Sequence, residues 1–177
     1  SLSLIFGVLS VVAIFFLARK LFDFEVAIFS AVLLSISEMA VFYSIESRPY
    51  SLLLLLSILS TYFYIDFSSF KKKFFYVLFS LLLIYTHAFG YLVIATHFAS
   101  SVLIYKNYKD YIPSWLITAI LAVPSAFLLL SQSGSSQIAW ITKPGILNIA
   151  YLFIDFSGSW ILLLLFSLLL IYHYNYI

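Results

Sequence analysis

Glu46-Ser47-Arg48-Pro49-Tyr50 sets an acid, a permanent cation and a phenol between two long apolar segments. Arginine keeps its charge in every environment and is costly near hydrocarbon, so Arg48 needs a partner or a task. Pro49 suits a first helical turn, which would leave free backbone N–H groups beside Arg48. A guanidinium beside such N–H groups forms an anion site that suits phosphate, with Glu46 and Tyr50 as neighbouring ligand contacts. The alternative is a lipid-headgroup contact, or an exposed pair with Glu46 worth under about 1 kcal/mol.

Two further residues have side chains that can bind a polar ligand. Glu38 stands six residues before Ser44, so in one continuous helix it lies about 9 Å below that helix's outer end. A carboxylate at this depth is costly unless it is paired, protonated or exposed to a cavity, and we expect a cavity that opens outward. His87, beside Thr86, can donate to a phosphate or a sugar hydroxyl, the alternative being a solvated or capping histidine. His97 is predicted to form an interhelical hydrogen bond.

Other kinds of chemistry have no pattern in this sequence. There is no metal-ligand spacing, no glycine-rich phosphate loop, no nucleophile constellation and no pair of catalytic carboxylates. The chain has no cysteine, which excludes disulfides and thiolate metal sites. A net charge of +2 with scattered basic residues argues against nucleic acid as a partner. We therefore expect no cofactor, although nothing rules against a divalent metal, and we expect the chemistry to be incomplete within this chain.

The elements that position these residues are membrane helices. Hydrophobic residues make up 64% of the chain, charged residues 9%, and the mean hydropathy is +1.13. Such a composition predicts an integral membrane protein, all-α, with room for about six to eight spans of roughly 20 residues. Seven spans are predicted in a single domain over 1–177, namely about 2–18, 25–43, 50–66, 74–88, 90–105, 112–131 and 160–176. An alternative joins 74–105 into one kinked helix, and 132–159 is predicted as an external loop with an interfacial helix.

The positive charges predict how the spans are oriented. An alternating path through seven spans places seven of the nine basic residues on one side, namely Arg19, Lys20, Lys71, Lys72, Lys73, Lys106 and Lys109. The positive-inside rule makes this the cytoplasmic side, which leaves Arg48 and Lys143 outside. We therefore expect a multi-pass plasma-membrane protein whose functional face, with Glu46–Tyr50 and the His87 turn, is extracytoplasmic.

Three sequence elements resemble a known family. They are residues 18–22 (ARKLF), 41–54 (VFYSIESRPYSLLL) and 85–90 (YTHAFG). Together they resemble the GT-C glycosyltransferases that include dolichyl-phosphate-mannose-protein mannosyltransferases and lipid A aminoarabinose transferases. The resemblance covers roughly residues 5–105, and beyond them only the hydropathy is similar. Its most specific part is the Arg-Pro-Tyr element at Arg48 with the preceding arginine-lysine turn.

The resemblance implies a polytopic enzyme that takes a sugar from a polyprenyl-phosphate carrier. The sugar passes, with inversion, to a hydroxyl on protein, lipid or glycan at the outer face. In such families an acid on the first external loop is the base, and that loop would precede Ser1. We therefore expect a fragment that lacks the first span, the first external loop and the catalytic base, and Glu46 is not assigned that role. Glu38 departs from the family pattern, which often has proline there.

Two other classes of protein fit the same composition. A multi-pass transporter or flippase would move lipid-linked or small polar substrates, and a noncatalytic membrane subunit would only bind other chains. An aspartate soon after one upstream span would favour the enzyme, whereas a repeated bundle would favour transport.

Overall fold

All regular structure in the described part of the chain is helical. The computed structural model describes residues 2–46, 48–105 and 108–132, and single residues at 145, 151, 161, 164, 167 and 168. The helices are α1 (Leu2–Leu21), α2 (Phe24–Ile36), α3 (Glu38–Ile45), α4 (Tyr50–Ile65), α5 (Phe70–Thr86), α6 (Phe89–Ser100) and α7 (Ile112–Gln132). A π-helical turn at Ser101–Tyr105 and a 3-10 turn at Tyr108–Asp110 lie between α6 and α7.

Two of these helices are long and apolar enough to cross a bilayer. They are α1 and the stretch Ile112–Ser131 of α7, and the bent pair α2 and α3 makes a third if it is one span. The chain is therefore a helical membrane protein. Against the seven spans predicted from hydropathy, the described residues contain two, or three with the bent pair. The predicted loop 132–159 and seventh span 160–176 lie outside the described residues, apart from single positions.

The prediction of one helix over 25–43 is wrong, because the chain breaks at Ser37. The two parts meet at 55°. Ser37 has extended backbone angles, φ −63° and ψ 118°, and its hydroxyl accepts the Ala40 N–H at 3.5 Å. A serine that caps a new helix competes with continuation of the old one, although the surrounding sequence is apolar throughout. Glu38 then becomes the first residue of α3, where a carboxylate stabilises the helix dipole.

Contacts between helix ends show which ends of the helices lie on the same side of the bundle. Lys20 at the end of α1 reaches Asp66 after α4, and the Tyr50 ring at the start of α4 contacts the His87 ring after α5. Tyr111, before α7, donates its hydroxyl to the carbonyl of Tyr64 near the end of α4 at 3.1 Å. Two ends follow. The Asp66 end comprises residues 19–23, 66–73 and 108–111, and the Arg48 end comprises 43–46, 48–50 and 86–90.

The segments 74–88 and 90–105 belong to two antiparallel helices. A break at His87 and Ala88 separates α5 from α6. The rings of Tyr76 on α5 and His97 on α6 lie 5.8 Å apart near the Asp66 end, so the chain reverses direction at the break. Gly90 permits this tight return, since a Cβ there would lie 2.6 Å from the Leu83 carbonyl oxygen.

Polar side chains join α4 to α6 within the bundle. His97 Nε2 lies 3.1 Å from Thr61 Oγ1, which confirms the predicted interhelical hydrogen bond. The His97 ring also stacks on the Tyr64 ring, with centroids 4.4 Å apart. The Tyr64 hydroxyl contacts Ser100 Oγ at 2.6 Å and Ser101 Oγ at 2.7 Å. The buried Tyr64 hydroxyl and one nitrogen of the His97 ring thus find partners in the protein, as an apolar surrounding favours, whereas His97 Nδ1 has none among the described residues.

Candidate functional site

A cavity of about 820 Å³ lies between α1, α3 and α4, with walls also from α2 and α6. Its lining is mainly apolar, and its size is that of a small-molecule or lipid site. The break at Ser37 contributes to the shape, because residues on both sides of it, Ser35 and Met39 among them, line the cavity. At Gly7, α1 comes so close to α3 that a Cβ would lie 2.8 Å from Ser44 Cβ. The sequence alone did not predict either feature.

The polar groups in the cavity wall are mostly serine hydroxyls that already donate to the backbone. Four donate at 2.7 Å, namely Ser35 to Val32 O, Ser44 to Val41 O, Ser51 to Tyr43 O and Ser57 to Leu53 O. With its proton engaged, a hydroxyl offers only lone pairs to a ligand. Such a wall suits a hydrocarbon chain better than a sugar, whose hydroxyls need both donors and acceptors.

Four aromatic rings form a continuous series of tilted contacts at the Arg48 end, with interplanar angles of 48–51°. The Tyr43 and Tyr50 rings lie 4.5 Å apart, those of Tyr50 and His87 lie 5.5 Å apart, and those of His87 and Phe89 lie 4.8 Å apart. Tyr43, Tyr50 and Phe89 line the cavity. The structure therefore brings the predicted residues Tyr50 and His87 together at one edge of the cavity, although they come from different helices.

Arg48 and Glu46 form the ion pair that the sequence offers as an alternative reading. Arg48 Nε lies 3.7 Å from Glu46 Oε2, and the two side chains are 63% and 31% exposed. Glu46 Oε2 is itself buried and has no hydrogen-bond partner among the described residues. At 3.7 Å from a largely exposed arginine the pair contributes under about 1 kcal/mol, so it leaves the guanidinium available to a stronger anionic partner. Arg48 does not line the cavity but precedes Tyr50, which does.

The start of α4 supplies a second feature suited to an anion. Pro49 stands just before Tyr50, the first residue both of α4 and of the predicted segment 50–66, and no side chain in the described ranges caps this helix end. Uncapped backbone N–H groups at a helix N-terminus attract negative charge. Together with Arg48 they give the Arg48 end a positive character.

Glu38 lies elsewhere than expected. The prediction placed it about 9 Å below the outer end of a continuous helix and facing a cavity. The helix instead ends at Ile36, and Glu38 is exposed at the start of α3. Its neighbours Ser37 and Met39 line the cavity, whereas Glu38 does not. The side chain therefore does not supply the cavity's polar group.

The Asp66 end has a more complete set of polar contacts, which the sequence did not reveal. Asp66 accepts hydrogen bonds from Lys72 Nζ and from Ser68 Oγ, the latter at 2.8 Å. It also makes an ion pair with Lys20 Nζ at 3.1 Å. Lys72, then Ser68 and Lys20, hold the pKa of this carboxyl well below its usual range. Lys20 also donates to the Tyr62 carbonyl at 3.2 Å. These contacts connect α1, α4 and α5.

Within the described ranges, no group of three or more histidine, aspartate or glutamate side chains is placed to hold a metal ion. Comparison of the chain with protein-family models, with characterised proteins and with solved structures finds no match. The fold and the site thus define a helical membrane protein with an apolar cavity beside an exposed cation.

Proposed function

We propose that this chain is part of a membrane glycosyltransferase that takes a sugar from a polyprenyl-phosphate donor. The acceptor is a hydroxyl on protein, lipid or glycan at the extracytoplasmic face of the plasma membrane. The observation that carries the proposal is the apolar cavity of about 820 Å³ whose edge at Tyr50 adjoins Arg48. A polyprenyl phosphate combines a long hydrocarbon with one anionic group, so it matches both parts. The resemblance to GT-C glycosyltransferases adds support, and a seven-span bundle of that type belongs to the same proposal.

The chemistry assigned to this chain is stabilisation of the leaving group. The acceptor oxygen bonds to the anomeric carbon while the bond from that carbon to the phosphate oxygen breaks. Negative charge then develops on the lipid phosphate, and the Arg48 guanidinium stabilises it with two N–H donors. The acceptor's proton goes to a base that this proposal places upstream of Ser1, and the products are the glycosylated acceptor and polyprenyl phosphate.

The break between α2 and α3 favours a second candidate, a transporter or flippase. Discontinuous helices beside a central cavity are common in secondary transporters, and Ser37 lies both at such a break and in the cavity wall. A transporter would move a lipid-linked or small polar substrate with no covalent change. Incubation with a labelled polyprenyl-phosphate sugar separates the two, because only the enzyme yields free polyprenyl phosphate and a labelled acceptor.

The direct test is Arg48→Ala in the full-length protein in nanodiscs, with polyprenyl-phosphate mannose and polyprenyl-phosphate aminoarabinose as donors. We expect transfer to fall by at least about 100-fold, the loss typical of removing one electrostatic contact to developing charge. Arg48→Lys should be impaired too, because it lacks the planar fork. Arg19→Ala is the matched control, since Arg19 lies over the Phe24 ring at the Asp66 end. Equal transfer by Arg48→Ala and wild type, or no transfer by wild type from either donor, contradicts the proposal.

A further inference from the structure

We infer that the His87 ring, held in one tautomer by the backbone of α6, donates its Nε2 hydrogen to the phosphate of the lipid carrier. This inference rests on the proposed function and identifies a second phosphate ligand besides Arg48. It begins with the backbone, which fixes the position of the residue. The His87 N–H donates to the Leu83 carbonyl at 3.2 Å, and the His87 carbonyl accepts the Gly90 N–H at 2.8 Å. Both main-chain groups are thus engaged in joining α5 to α6.

One ring nitrogen of His87 is committed to the same connection. The Phe89 N–H donates to His87 Nδ1 at 3.2 Å. An N–H donor requires a lone pair on its partner, so Nδ1 of the neutral ring carries no hydrogen. The hydrogen of neutral imidazole is then on Nε2, since the bond made by one nitrogen decides the state of the other. His87 is therefore a donor, and not an acceptor, toward anything that approaches Nε2.

The neighbouring rings hold the imidazole at the edge of the cavity. The His87 ring lies between those of Tyr50, at 5.5 Å, and Phe89, at 4.8 Å, both of which line the cavity. The residue is half-buried, and in the described ranges no hydrogen-bond partner of Nε2 occurs. A donor restrained on two sides loses little side-chain entropy when it binds. It is thus preorganised for a ligand at the Arg48 end.

The positive groups at this end favour a phosphate oxygen over a neutral hydroxyl, and the Glu46 carboxylate opposes them. Arg48 is two residues from Tyr50, the ring that His87 contacts, and the uncapped start of α4 lies at the same place. Hydrogen bonds to an anionic oxygen are roughly twice as strong as those between neutral groups. A hydroxyl of the sugar or the acceptor is the competing partner, and it is separated experimentally by a carrier that lacks phosphate.

The test compares two amides that mimic different ring nitrogens. The amide nitrogen of His87→Gln can reach the position of Nε2, whereas the His87→Asn side chain reaches only the position of Nδ1. The full-length protein in nanodiscs is titrated with polyprenyl phosphate and with polyprenol. We expect His87→Gln to bind polyprenyl phosphate within about 3-fold of wild type, and His87→Asn and His87→Phe to bind roughly 10-fold more weakly. Polyprenol affinity should be the same in all four proteins.

Two outcomes overturn the role of His87 and leave the proposed function standing. One is that His87→Asn binds polyprenyl phosphate as well as His87→Gln does, while Arg48→Ala loses its preference for the phosphate. The other is an equal loss of polyprenol binding in His87→Asn and His87→Phe, which indicates a purely structural residue. If wild type binds polyprenol and polyprenyl phosphate equally, both the inference and the proposed function fail.

A second measurement reads the state of the wild-type ring directly, and a variant is needed only to assign the signal. The ¹⁵N spectrum of wild-type protein with labelled histidine reports which ring nitrogen carries hydrogen. We expect a bare Nδ1 and a protonated Nε2 for His87, assigned by its loss in His87→Gln. A hydrogen on Nδ1 in the neutral ring excludes the bond from Phe89 and overturns the inference.

Discussion

The two ends of the bundle each contain a carboxylate beside basic side chains, but their contacts differ. At one end Asp66 has two lysines and a serine within hydrogen-bond or ion-pair distance, and its side chain is 28% exposed. At the other, Glu46 has a single ion-pair contact of 3.7 Å, with an arginine that is 63% exposed. The first arrangement satisfies its charges and joins three helices. The second leaves a cation available, which is the property expected of a binding site.

The contacts of the aromatic rings also differ between the two ends. At the Asp66 end, rings cover cations of the protein itself, with Lys20 Nζ 4.0 Å from the Tyr62 centroid and Lys73 Nζ 5.2 Å from that of Phe67. At the Arg48 end the rings contact one another along the cavity edge instead, and Arg48 makes no cation–π contact among the described residues. The lysines that stabilise helix packing thus lie at one end of the bundle, and the arginine that is available to bind a ligand lies at the other.

Asp66→Asn should produce the largest change in stability. Loss of the carboxylate removes the shared partner of Lys20 and Lys72 and leaves two neighbouring cations, so we expect the melting temperature in nanodiscs to fall by roughly 5 °C. The affinity for polyprenyl phosphate should stay within about 2-fold, because that ligand is assigned to the opposite end. Glu46→Gln is the matched control and should leave the melting temperature unchanged. A loss of affinity for polyprenyl phosphate in Asp66→Asn would contradict the assignment of lipid binding to the Arg48 end alone.

The pH dependence of stability should come from the Asp66 end. The pKa of Asp66 is lowered in the folded protein by Lys72, Ser68 and Lys20, so its unfolded form binds protons more readily. Its contribution is therefore present above about pH 4, the ordinary aspartate pKa, and is lost as the pH falls through the folded pKa. We expect the free energy of unfolding of wild type, measured with denaturant, to fall at pH values below about 4. The same plot of stability against pH should be flatter for Asp66→Asn. Identical profiles would show that the ion pairs contribute nothing.

Glu46→Gln should give the smallest of these effects, a change in affinity for polyprenyl phosphate. The change should be an increase, whereas Arg48→Ala should lower the affinity. The carboxylate competes with a bound phosphate for Arg48 and also repels it. Because a 3.7 Å pair with a largely exposed arginine contributes under about 1 kcal/mol, we expect polyprenyl phosphate to bind roughly 2–5-fold more tightly. Polyprenol binding is the internal control and should not change. Weaker binding of the phosphate would instead make Glu46 a direct ligand contact or an essential positioning residue for Arg48.

Parts of the fold follow from local sequence signals. The predicted segments 50–66 and 112–131 lie within one residue of α4 and α7 at each end, because Pro49 and Asp66 bound one and polar residues precede the other. The break at Ser37 was missed, since the apolar pattern continues across it. The available signal is a serine followed by an acid, which is typical of a helix start but occurs often elsewhere.

The candidate site was predictable only where its residues are close in sequence. Arg48 and Glu46 are two positions apart, so their pairing could be anticipated. The contact of Tyr50 with His87 depends on how α4, α5 and α6 pack, and the approach of Lys20 to Asp66 depends on α1 lying beside α4. Such contacts between distant residues need the tertiary arrangement, and for the same reason the exclusion of Glu38 from the cavity could not be foreseen.

Photocrosslinking tests the difference between the two ends most directly. A polyprenyl phosphate carrying a diazirine next to the phosphate is bound to the full-length protein in nanodiscs, irradiated, and mapped by mass spectrometry. We expect adducts at the Arg48 end, on Tyr43, Tyr50 or Phe89, and their loss in Arg48→Ala. Adducts confined to the Asp66 end, or an unchanged pattern in Arg48→Ala, would contradict the assignment of the Arg48 end as the lipid-phosphate site.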